Sequence, residues 1–239
     1  MFELGDIIGK RKDYIAAVYR EIRVSVPEAP ISEALPEFMT FYVDTRFTTE
    51  QVVRIRQMIS LVLSNWYTHF EQLNNGATRS SYQRSLNQYA RFNLAPVWFE
   101  EKIANGAAAA GISMDGMTTA VAANGFGRAA KAYIMYQKSP LPSNVGKNPG
   151  TSTIKGVNAS NPELNSLTVT INPNALSLTS VTTLFLAGSL FHAWLHRIGY
   201  RHPAGKYTTY FAGEAAMSFM RGNQDKTSAP SSTYTRWLD

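Results

Sequence analysis

The residues with the strongest claim to chemistry lie in one stretch, Leu190 to Pro203, which carries three of the chain's four histidines. His192 and His196 are one helical turn apart and project from one face of a helix. Two neutral imidazoles at that spacing can share a metal ion. Gly199 follows three residues later, where a helix can end in the left-handed conformation that glycine adopts at little cost. The chain then turns back and offers His202 to the same ion. Three nitrogen ligands leave a fourth tetrahedral position open, the arrangement of a catalytic rather than a structural zinc. With 4 His and 16 Gly in 239 residues, two further histidines and a glycine at these offsets arise by chance about once in 50,000 for a given first His.

The spacing H-x-x-x-H-x-x-G-x-x-H resembles the signature of the metzincin zinc endopeptidases, H-E-x-x-H-x-x-G-x-x-H followed by a Met-turn. The resemblance implies a Zn²⁺ cofactor held by His192, His196 and His202, and hydrolysis of peptide or protein substrates. One position departs from it. The family's general-base Glu is Ala193 here, which keeps the metal cage and removes the proton acceptor. As written, the chain reads as an inactive or severely impaired protease. A Glu→Ala substitution explains this better than a pseudoenzyme, because the rest of the motif is intact and Ala is the smallest change that leaves a helix undisturbed. The competing reading is a zinc-containing module that binds peptides. Glu214-Ala215-Ala216-Met217-Ser218-Phe219 resembles the astacin and serralysin Met-turn, with Met217 as an apolar floor under the ligands. Phe219 stands where those families have Tyr, and Tyr207 or Tyr210 is left as a substitute hydroxyl.

The elements that must position these residues are read in chain order. Ile15, Val18, Tyr19 and Ile22 suit one face of an amphipathic helix over residues 9–26, ended by Pro27 and Pro30. Residues 1–35 therefore form an N-terminal helical extension or prosegment, and 36–239 the catalytic domain. Phe2-Glu3-Leu4-Gly5-Asp6 resembles, with one extra residue, the F-x-G-D motif of astacin prosegments, which makes Asp6 a candidate latency ligand. Phe38 to Asp44 reads as a strand. Thr48 and Gln51 make a capping box for a long helix over 49–73, with Val52, Ile55, Ile59, Val62, Leu63 and Trp66 as its apolar stripe. A strand followed by a long backing helix also resembles the layout of the family. His69, late in this helix, reads as a helix-end histidine favoured by the dipole rather than as a ligand. Asn74-Asn75-Gly76 is a turn.

A strand around Phe92 to Val97, helical composition from Pro96 to Gly111, a loop at Gly125 to Arg128 and a strand from Ala132 to Gln137 follow. Residues 138–162 read as a long irregular loop. Leu167, Val169 and Ile171 alternate in a strand that the resemblance places at the sheet edge, pairing with extended substrate. A buried helix from Leu178 to Arg197, capped by Thr179 or Ser180, carries His192 and His196. The fold class expected is α+β: a twisted mixed sheet, two long helices and a small irregular C-terminal subdomain.

Composition bounds the rest. A chain of 239 residues with 44% hydrophobic and 17% charged residues is ordinary globular protein. Net charge is +6, with Lys and Arg scattered, so no nucleic-acid surface is indicated. No apolar run reaches the length of a membrane span. There is no cysteine, which excludes thiolate ligands and suits a secreted or exported protein, although the chain opens on no signal peptide. Natural substrate and oligomeric state are not legible.

Overall fold

The computed structural model describes residues 18–89, 103–125, 131–141, 153–157, 164–198, 216–217 and 219–222. These residues form an α+β structure around one mixed five-stranded sheet of order β1-β2-β3-β5-β4. Its strands are β1 (Tyr19–Ser25), β2 (Phe38–Asp44), β3 (Ala132–Tyr136), β4 (Ile154–Gly156) and β5 (Val169–Ile171). The helices are α1 (Thr49–Asn74), α2 (Ser81–Tyr89), α3 (Gly106–Gly125), the short α4 (Pro173–Ser177) and α5 (Thr183–Ile198). β2, β3 and β5 run parallel, while β1 and β4 run antiparallel to their neighbours at the two ends.

β1 corrects the helix expected over residues 9–26, for as much of it as is described. Ile22 and Val24 are buried while Glu21, Arg23 and Ser25 are exposed, an alternation of period two. The strand pairs with β2 along its whole length, from Tyr19 opposite Asp44 to Ser25 opposite Phe38. The boundary near Leu35 thus falls between two hydrogen-bonded strands. Residues 1–17, including Asp6, lie outside the described residues.

α1 forms where the pattern predicts it. Gln51 N donates to Thr48 Oγ1 at 3.3 Å and Thr48 N to Gln51 Oε1 at 3.0 Å, which satisfies two amides at the helix start. Its stripe from Val52 to Trp66 is buried. Gly76, at φ 88°, takes the left-handed conformation that ends the helix. α2 was not legible as a helix, and the strand expected around Phe92 to Val97 lies outside the described residues. α3 is a correction. It starts at Gly106 and continues past Gly111 to Gly125, because Met114, Met117 and Val121 carry a buried stripe onward.

β3 matches expectation. The loop expected over 138–162 is interrupted by β4, whose Ile154 is buried and pairs with Ile171. β4, not β5, is therefore the antiparallel end strand. β5 lies between β3 and β4, and Leu167, Val169 and Ile171 are buried. With both edges of β5 already hydrogen-bonded, these residues are core and do not pair with substrate.

The chain between β5 and α5 is also less helical than expected. Asn172 caps α4 through its side chain, which accepts from Asn174 N at 3.1 Å. α5 then starts at Thr183, and its cap is Thr182, whose Oγ1 accepts from Phe185 N at 3.1 Å. Thr179 and Ser180 lie in the preceding turn. No described helix is long and apolar enough to cross a membrane.

Candidate metal centre on helix α5

α5 is buried from Phe185 to Leu195, so hydrophobic burial on most sides holds it in place. Trp194 sets its rotation. The indole Nε1 donates to Leu167 O at 3.0 Å, and the ring lies parallel to Phe41 of β2 at 6.2 Å between centroids. Residues two apart on a helix point in nearly opposite directions, at about 100° per residue. With Trp194 turned to the sheet, His192 and His196 are turned to the other side.

His192 Nε2 and His196 Nε2 stand 3.0 Å apart, with ring centroids at 4.7 Å and planes at 80°. Two nitrogens each about 2.0–2.1 Å from one tetrahedral zinc stand about 3.3 Å apart. The observed pair meets that requirement within a few tenths of an ångström, through the same ring nitrogen on both residues. The donor set suits zinc: two imidazole nitrogens on one helix, His192 buried and His196 half-buried. In this structure the two Nε2 atoms stand at hydrogen-bond distance, and a metal held between them would take the place of that contact. His202 and Gly199 lie outside the described residues, as do Tyr207 and Tyr210, so the structure brings together the two expected ligands that it describes, His192 and His196.

Ala193 is 2% exposed and belongs to the core. It is three residues before His196 and so lies beside it on the helix surface. Met217 is fully buried. Its carbonyl lies 2.8 Å from where a Cβ on Gly188 would stand, one turn before His192 on the same stripe. Arg221 N donates to Met217 O at 3.1 Å, which ties these two residues together. Phe219 is buried edge-on against Tyr82 at 5.2 Å, which makes it core rather than a group facing substrate.

His69 is neither a ligand nor a dipole-held helix end. It is buried five residues inside α1, with Nδ1 2.7 Å from the Ser80 hydroxyl and its ring edge-on to Phe70 and Tyr82. Desolvation lowers its pKa from 6.5 to about 4, so it is neutral near pH 7. Ser80 in turn accepts from Gln83 N at 3.1 Å and starts α2. The pattern Ser80-x-x-Gln83 was the available sequence signal for the start of α2.

No protein-family model, curated protein or solved structure matches this chain.

Proposed function

We propose that this chain is a zinc-binding protein of metzincin-like design, a metalloendopeptidase scaffold whose hydrolytic step is disabled at position 193. The observation that carries this reading is the 3.0 Å approach of His192 Nε2 and His196 Nε2 on one face of a buried helix. His202 is the third ligand by motif. When bound, zinc supplies polarisation of a substrate carbonyl and a water whose pKa falls toward about 7. Ala193 offers only a methyl where the family carries the Glu carboxylate that takes a proton and returns it to the leaving amine. Loss of such a group lowers the rate by about 10²–10⁴. Further support comes from β4, whose outer edge has no strand beside it among the described residues. That edge offers backbone groups to an extended peptide, whatever its sequence.

A second reading, a zinc-containing pseudoprotease that captures peptides or proteins, is favoured by one observation. Ala193 is packed in the core, where a native small residue fits without rearrangement. Both readings require the metal and both suit an exported protein.

Metal analysis of the purified full chain tests their common ground. One zinc per chain should survive mild dialysis, and His192→Ala, His196→Ala and His202→Ala should each lose it, while His69→Ala keeps it. A wild-type chain without metal, or loss on His69→Ala as readily as on His196→Ala, overturns the assignment.

A further inference from the structure

Gly188 and Arg221 form a contact that the metal motif does not require. A Cβ on Gly188 would stand 2.6 Å from Arg221 Cγ and 2.8 Å from Met217 O. Neither approach is sterically possible, so only glycine lets the Met217 turn lie this close to α5. The Arg221 side chain then runs along the helix. Nε donates to Phe185 O at 3.2 Å, Nη2 donates to Ser189 Oγ at 2.7 Å, and the guanidinium lies 3.6 Å from the centre of the Phe185 ring. Arg221 is 8% exposed. A guanidinium suits this place because its planar fork meets a carbonyl, a hydroxyl and an aromatic face at once, which an ammonium cannot do.

The stripe involved leads directly to the histidines. Residues 185, 188, 189, 192 and 196 fall within about one third of the helix circumference at 3.6 residues per turn. Helical side chains lean toward the N-terminus and cover the turn before their own Cα. The ground under His192 is therefore the turn of Gly188 and Ser189, where Arg221 and the Met217 carbonyl are packed. His196 leans over His192 in the same way, which is how the two rings meet.

We infer that Arg221 is a positioning residue for the histidine pair: by clamping the Met217 turn onto α5 at Gly188 and Ser189, it fixes the orientation of His192 and so sets the affinity of the pair for metal. This rests on the zinc reading above and adds to it a residue outside the ligand motif. Outer partners that orient metal ligands typically change affinity 10–100-fold when removed.

The test compares the full-length wild type with Arg221→Met, Arg221→Lys and Ser189→Ala. Zinc affinity is measured by competition with a chelator, and the imidazole ¹⁵N signals of His192 and His196 are recorded without zinc. Arg221→Met should weaken zinc at least about tenfold and shift both imidazole signals in the metal-free protein. Ser189→Ala should move both readouts in the same direction by less, and should add nothing in the double variant. Arg221→Lys should only partly restore affinity. If Arg221→Met lowers the melting temperature but leaves zinc affinity and imidazole signals unchanged, Arg221 is only a structural staple and the inference is overturned. Should Arg221→Met fail to fold, unchanged affinity and signals in Ser189→Ala and Arg221→Lys overturn it equally. A wild type that binds no zinc ends the metal reading, while the imidazole shifts still decide whether Arg221 orients the pair.

Discussion

At the scale of residues, the proposed metalloprotease reading turns on position 193. A Glu there sits beside His196 at helical spacing, but it replaces a methyl that is 2% exposed. A buried carboxylate is tolerated only with a partner, and on the proposed reading the metal site on the histidine pair would supply it. Ala193→Glu should therefore create endopeptidase activity at least about 10²-fold above the parent chain, abolished by phenanthroline. Ala193→Gln, of the same shape but without a base, should stay inactive. A folded, zinc-loaded and inert Ala193→Glu chain favours the binding-module reading. His69 makes a different prediction. Its folded pKa of about 4 lies below the unfolded 6.5, so between these values the unfolded chain binds more protons. The stability it contributes is complete above pH 6.5 and is lost as pH falls toward 4. In His69→Asn, which keeps an acceptor near Ser80, unfolding free energy should fall less steeply across that window than in the wild type. The difference should be of the order of 3 kcal/mol. Parallel profiles would show that His69 does not titrate there.

Elements bring a different correction. β1 is an end strand that covers one edge of β2 over seven residues. Deleting residues 1–35 removes that cover and exposes the core around Met39, Phe41 and Val43. Such a truncation should aggregate or unfold, whatever residues 1–17 do. A latency role for Asp6 is therefore tested by deleting residues 1–17 only, alongside Asp6→Ala, in the Ala193→Glu background. Higher activity in both is the result expected of a prosegment. Unchanged activity in a folded, zinc-loaded protein would count against it. The helical reading of this region failed because Val18, Tyr19 and Ile22 suit a period of 3.6, while Ile22 and Val24 suit a period of two. A strand becomes the better solution only when β2 is present to pair with it. α1 was legible because nothing competes: a reciprocal cap and a long apolar stripe agree.

At the scale of the whole molecule, the proposed metal on α5 would be linked to folding. His192 and His196 meet once α5 is helical, and packing against the sheet through Trp194 holds that helix, so zinc that bound the folded chain would shift the unfolding equilibrium. At 100 times its dissociation constant, zinc should stabilise the protein by about 2.7 kcal/mol, seen as a rise in melting temperature that a chelator reverses and that His196→Ala lacks. The same melting temperature with and without zinc would mean that the pair is not a folded-state metal site. The sequence by itself determined the local facts: an α+β class, the capping box and stripe of α1, and two histidines one turn apart on a helix. All of these depend on spacing along one segment and on the 3.6-residue period. Tertiary structure alone decided which strand lies at the sheet edge, because β5 and β4 differ in strand order and not in pattern. It alone placed Ala193 in the core, His69 beside Ser80, and Arg221 against Gly188. Those placements depend on how separate elements pack, which no single segment encodes.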